Sequence, residues 1–225
     1  PNSEISQFNF THSTEPYAIS ESFMKVVKAA LDVSEKTDGF FDITVFDLMG
    51  IWGFGPDPNS GIPDQKQIET VLFYTGHEKI NVVEKTIIKK HPKTKLDLNA
   101  ITKGFAVDEV FHFLQSKGFT NLFVEIGGEV QCSGRNQLNK YWSIGIENPS
   151  GGNKSNQIFA AIVYSDGGAV ATSGNYRNFV SIDGETLGHT INPKTGFPIQ
   201  TNVLSVTVLS NSCMVADAWA TALMV

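Results

Sequence analysis

From Asn121 to Ser210 the chain reads as a run of short β segments, NLFVEIGGEVQCSG, YWSIGIE, QIFAAIVYS, RNFVSID and VLSVTVLS, broken by Gly, Asn and Pro. Segments of this length, rich in Val, Ile, Phe and Tyr and parted by turn formers, point to antiparallel pairing. Helical patterns stand mostly earlier. SESFMKVVKAALDVSEKTDG puts Phe23, Val26, Val27, Ala30 and Leu31 at helical spacing, with Ser20 as N-cap and Gly39 beyond the end. Asp64 to Tyr74 reads as a second, short helix, KINVVEKTIIKK as a hairpin turning at Glu84-Lys85, and ITKGFAVDEVFHFLQSKG as a helix stopped at Lys117-Gly118. The expected fold is α+β, a largely antiparallel sheet with flanking helices. At 225 residues and 41% hydrophobic, the chain is long for one domain and short for two, so one bilobed domain over residues 1–225 is expected.

Charge narrows the partners. A formal net charge of −6 argues against a nucleic-acid surface, and no Lys/Arg run suggests an anionic membrane. An anionic ligand would need local cations or a metal. No apolar stretch approaches the ~20 residues of a transmembrane span, and no signal peptide is visible. The chain starts at PNSEIS without Met and stops at ATALMV without a helix-ending residue, which predicts a piece of a longer polypeptide. Cys132 and Cys213 are too few for a disulfide framework or a thiolate metal site and read as inert thiols. No HExxH, GxSxG or Cys-His arrangement is present, which disfavours proteases, esterases and zinc hydrolases.

Two constellations carry chemistry. In MVADAWATAL, Asp217 and Thr221 stand four apart, on one face of a helix, between small Ala216 and Ala218. A carboxylate in such apolar company needs a cation or strong donors. With a hydroxyl it suits a hard ion such as Mg²⁺; the alternative is a charge near the helix start, after Asn211 or Ser212. In LDLNAITKG, Asp97 is expected to end a strand, Asn99 to Thr102 to form a turn, and Lys103 and Gly104 to enter a helix whose N–H groups attract phosphate. The glycine of a Walker loop is missing. EIGGEV reads as a hairpin or bulge at Gly127-Gly128. ATSGNYRNF places Thr172, Ser173 and Arg177 around Gly174, and GHTINPKTGFP sets His189 before a turn.

In this order, PNSEISQFN, GFFDITVFDLMGIWGFGP, LDLNAITKGFAVD, VEIGGEV, ATSGNYRNF, HTINPKTGFP and VTVLSNSCMVADAWATAL resemble the ApbE family of flavin transferases (FAD:protein FMN transferases) along essentially the whole chain. The resemblance implies an ApbE-like, T-fold-related architecture. It also implies an Mg²⁺-dependent enzyme that cleaves FAD, releases AMP and joins FMN through a phosphodiester to a Thr or Ser of an acceptor protein. The acceptor would be a flavoprotein subunit with a Ser/Thr-Gly-Ala-Thr-like segment. Some members instead hydrolyse FAD to FMN and AMP, and a non-catalytic flavin-binding protein is the remaining alternative.

By motif position, Asp217, Thr221 and the main-chain carbonyl of Ala100 would hold Mg²⁺. Asp97, Lys103, Ser173 and the backbone of Ile191 would contact the flavin nucleotide, and Ile51, Trp52 and Gly53 would line its pocket. His189, with Asp217, would be catalytic, activating the acceptor hydroxyl or protonating a leaving oxygen. The family also implies an extracytoplasmic setting, periplasmic or as a lipoprotein anchored at the inner membrane. Two departures stand out: NAIT replaces the common Gly-Gly-Ile-Ala, and Asn192 replaces the usual Asp of the HxxDP turn, removing a charge near His189.

Overall fold

The structure is a computed structural model, and it describes residues 2–55, 62–149, 159–175, 179–182 and 185–225. In chain order, its early elements are α1 (Glu4–Phe10), β1 (Tyr17–Ala18), α2 (Glu21–Lys36), α3 (Phe46–Ile51), α4 (Gln65–Leu72), β2 (Ile80–Val83) and β3 (Thr86–Lys89). There follow α5 (Asn99–Ser116), β4 (Leu122–Ile126), β5 (Glu129–Ser133), β6 (Trp142–Glu147), β7 (Phe159–Ser165) and β8 (Gly167–Gly174). The last elements are β9 (Phe179–Ile182), β10 (Glu185–Gly188), β11 (Ser205–Ser210) and α6 (Cys213–Ala222). Every strand pair among the described residues is antiparallel, in keeping with the α+β reading. The chain divides into two compact units, one of residues 1–99, 178–200 and 225, the other of residues 100–177 and 201–224.

In the first unit, α2 begins where Ser20 Oγ accepts the Phe23 N–H at 3.1 Å, and it buries Phe23, Val26, Val27, Ala30 and Val33. Asp64 and Gln67 close a reciprocal capping box at the start of α4. β2 and β3 turn at Glu84, whose φ is +52°, and β1 adds to β3. Two short α-helices among the described residues are not foretold by the sequence pattern. Helix α1 is capped by Ser3 and closed at its other end by Lys89, a buried ammonium donating to the carbonyls of Phe8 (2.9 Å) and Thr11 (2.8 Å). Helix α3 has no side-chain cap and only six residues, too few for a readable period. Packing holds it: α3 and α4 build a cluster of Leu48, Trp52, Ile68, Val71 and Ile191.

In the second unit the four-stranded sheet runs β11-β8-β5-β4. One face, through Leu122, Val124 and Ala169, packs on Val107 and Phe111 of α5 and Cys213 of α6. The opposite face, through Val130, Cys132 and Val170, meets Ile144 of the β6–β7 hairpin. EIGGEV is a two-residue hairpin: Ile126 faces Glu129, and Gly127 and Gly128 both have positive φ, +65° and +102°. Cys132 and Cys213 are buried and free, and burial pushes both thiols up, so neither is poised as a thiolate.

LDLNAITKG departs from the expected strand, turn and helix. Residues 95–98 belong to no strand, and α5 begins at Asn99, so Asn99 to Thr102 form its first turn and Lys103 lies on the second. The Asp97 carboxylate starts the helix early by accepting the Asn99 N–H at 2.8 Å, and NAIT contains no breaker to delay it.

Candidate active site

Helices α5 and α6 approach each other at Gly104. A Cβ there would come within 2.7 Å of Met214 Cα and closer still to the Cys213 carbonyl, so glycine is what allows the backbones to meet. Asp108, one turn further along α5, fixes the angle of approach. Its buried carboxylate accepts from Ser212 Oγ (2.7 Å), the Cys213 N–H (2.8 Å) and the Met214 N–H (3.1 Å), so it caps the N-terminus of α6 from a neighbouring helix. That satisfies the role of a charge near the helix start. Asp217 does something else.

Asp217 is 3% exposed, and its Oδ2 accepts the Gly104 N–H at 3.0 Å. α-Helical pairing assigns that N–H to the carbonyl of Ala100, so carboxylate, amide and Ala100 carbonyl converge on one turn of α5. Burial raises Asp217 from the ordinary 3.8 to about 6; the Gly104 hydrogen bond and nearby Lys103 pull it down, and Glu129 pushes it up. One turn along α6, Thr221 Oγ1 shares a 3.0 Å hydrogen bond with Ser173 Oγ on β8. Lys103 forms an ion pair with the buried Glu129. Within the second unit the structure therefore brings Ala100, Lys103, Ser173, Asp217 and Thr221 into one neighbourhood, built on Gly104. Arg177 lies outside the described residues.

The first unit assembles a separate group. Trp52 is buried, and its Nε1 donates to the Gly196 carbonyl at 2.7 Å. Ile191 packs in the same cluster and bridges by its backbone to Pro198, with Ile51 partly packed against it. Gly53 takes a φ of +82°, and the Phe54 ring beyond it meets His189 edge-on at 6.4 Å between centroids. The His189 turn keeps its form although Asn192 stands for Asp: Asn192 Oδ1 accepts the N–H groups of Lys194 (2.9 Å) and Thr195 (3.3 Å), as a carboxylate oxygen would. Asp97 is anchored by its own N–H to the Ile43 carbonyl (2.7 Å), and burial raises its carboxyl.

The ApbE family model matches residues 1–225. The chain belongs to the ApbE family. Among curated relatives, the FAD:protein FMN transferase of Vibrio cholerae is 42% identical over 99% of this chain and 66% of its own length. The protein of the same name from Escherichia coli K12 is 36% identical over 99% of this chain and 64% of its own. The chain thus spans just under two thirds of these relatives. Among solved structures, the flavin transferase ApbE of Vibrio cholerae superposes with a TM-score of 0.89 at 42% identity, covering 99% of this chain and 70% of that one. The apo flavinyl transferase ApbE of Pseudomonas stutzeri also gives 0.89, at 33% identity, over 99% of this chain and 68% of that one.

The oxygen atoms of this ApbE chain fit a hard cation. Among the described residues no group of three or more His, Cys, Asp or Glu is arranged for a metal. A desolvated carboxylate beside a pair of hydroxyls and a helix-start carbonyl is nevertheless an all-oxygen donor set, and one that leaves positions for water or phosphate. Asp217, Thr221 and Ser173 stand out in the sequence, but the residues that hold them do not. Gly104 stood as a mere helix-entry residue, and Asp108 and Glu129 had no role. The one available signal was a Gly on the α5 pattern opposite Ala-rich α6, the composition of a close helix contact. No helix among the described residues is long and apolar enough to cross a membrane.

Proposed function

We propose that the protein containing this chain is an Mg²⁺-dependent FAD:protein FMN transferase, which cleaves FAD, releases AMP and leaves FMN on a Thr or Ser hydroxyl of an acceptor protein. The observation that carries the reading is the buried Asp217 carboxylate beside Gly104, one turn from the Ser173–Thr221 hydroxyl pair, in a chain of the ApbE family. Asp217, Thr221 and the Ala100 carbonyl would hold the cation, which when bound supplies Lewis-acid stabilisation of charge on the diphosphate.

The protein groups do the rest. Lys103 offers a second cation to the phosphates of a dianionic substrate, which a chain of net charge −6 otherwise repels. Ser173 orients the Thr221 hydroxyl by the hydrogen bond they share. In the first unit, Ile51, Trp52, Gly53, Asp97 and the backbone of Ile191 serve the flavin nucleotide. His189, beside Phe54, takes the proton of the acceptor hydroxyl or gives one to the leaving oxygen. The extracytoplasmic setting rests on the family resemblance; cell fractionation tests it.

The deciding experiment incubates the full-length protein with FAD, Mg²⁺ and an acceptor bearing a Ser/Thr-Gly-Ala-Thr-like segment. Covalent in-gel flavin fluorescence that disappears in Asp217→Ala supports the reading. FMN and AMP without a labelled acceptor identify a pyrophosphatase, and intact FAD identifies a binding protein.

A further inference from the structure

Glu129 has no part in the reaction as described, yet its position is unusual. Its side chain is 2% exposed, at the start of β5, directly after the Gly127-Gly128 turn. Oε1 pairs with Lys103 Nζ, and Oε2 is buried without a hydrogen-bond partner among the described residues. On the same face of β5, Gln131 Oε1 is also buried and, among the described residues, without a hydrogen-bond partner. A carboxylate so placed is costly unless it serves a cation, and Lys103 is the cation it meets. The lysine lies on the open side of the pair, its side chain 46% exposed. Its stem runs along the turn: a Cβ on Gly127, at a φ of +65°, would stand 3.3 Å from Lys103 Cδ. An ammonium carries three donors on a flexible stem. One donor is given to the buried carboxylate, and two remain for the open side.

We propose that Glu129 is the positioning residue for Lys103: it anchors the ammonium from the buried side, so that the two remaining N–H donors are pre-set for an anionic ligand of the diphosphate class. This deepens the functional reading above and rests on it for the identity of the ligand, but not for the anchoring. Pinning a lysine removes most of the rotamer freedom that a ligand would otherwise have to freeze, so the gain is in affinity rather than in chemistry.

The test compares wild type, Glu129→Gln, Lys103→Ala and the double variant in the full-length protein. Binding of Mg²⁺–pyrophosphate and of FAD is measured by titration calorimetry. Separately, the acetylation rate of Lys103 is read by mass spectrometry without ligand. Glu129→Gln is expected to weaken binding about tenfold, the scale of one charge-assisted hydrogen bond, and the double variant to bind no more weakly than Lys103→Ala alone. Lys103 acetylation should rise several-fold in Glu129→Gln. In the wild type it should be slower than that of Lys36, which is 58% exposed with an equally exposed partner, Asp32.

A double variant showing the product of the two single effects, or Lys103 reacting as fast as Lys36 in the wild type, overturns the proposal. The wild-type rate comparison stands even if Glu129→Gln does not fold. Failure of the wild type to bind FAD or pyrophosphate overturns the functional reading, while the acetylation rates still judge the anchoring.

Discussion

Replacing Asp217 by Asn should make the metal-free protein more stable at alkaline pH, although it removes the proposed principal metal ligand. The raise of Asp217 from 3.8 to about 6 corresponds to roughly 3 kcal/mol of stability, since each pH unit is worth about 1.4 kcal/mol. Below pH 3.8 the carboxyl is protonated in both folded and unfolded chains, and the fold carries no penalty. Between 3.8 and 6 the unfolded chain releases the proton first, so stability falls as pH rises; above 6 the penalty is complete. Asparagine never ionises, and its amide oxygen still accepts the Gly104 N–H, as the protonated carboxyl does. The variant should therefore exceed the wild type by about 3 kcal/mol at pH 8 in EDTA, and the advantage should shrink below about 1 kcal/mol at pH 4. Saturating Mg²⁺ at pH 8 should stabilise the wild type by about 2–3 kcal/mol at a hundred times its dissociation constant, and leave the variant unmoved. Urea denaturation followed by intrinsic fluorescence measures all of these. A variant less stable than the wild type at pH 8 in EDTA, or one that responds equally to Mg²⁺, would refute the idea of a buried carboxylate awaiting a cation.

Other substitutions probe the scaffold. Gly104→Ala forces α5 and α6 apart by most of an ångström and stretches the Gly104–Asp217 hydrogen bond; a loss of about 3 kcal/mol by denaturation and of Mg²⁺ response is expected. Asp108→Ala leaves three donors at the start of α6 without their acceptor and should cost about 2–4 kcal/mol, measured in the same way. Lys89→Met leaves the Phe8 and Thr11 carbonyls without their buried donor, and hydrogen exchange should show α1 opening more readily. Asp42, whose Oδ2 lies 3.6 Å from His77 Nδ1, raises His77 above its usual 6.5; in Asp42→Asn an NMR titration should find it lower.

The parts legible from sequence are those whose cause is local. Ser20 and the spacing of Phe23, Val26, Val27 and Ala30 foretell α2 because cap and apolar face lie within one helix. Gly127-Gly128 foretells a hairpin because two positive φ angles in succession favour glycine. Asp217 and Thr221 share a face wherever their helix goes, so the pair stood out before its surroundings were known. The start of α5 was misread because Asp97 acts from outside the helix, and α3 was missed because α4 and Ile191 hold it, not any period of its own. Gly104, Asp108 and Glu129 were silent for the same reason. Each takes its meaning from a partner more than 25 residues away, the Cys213–Met214 backbone, the N–H groups of α6 and the Lys103 ammonium. Short-range order follows from the spacing of residues along one element, whereas a buried charge and the groups that hold it meet only when separate elements pack.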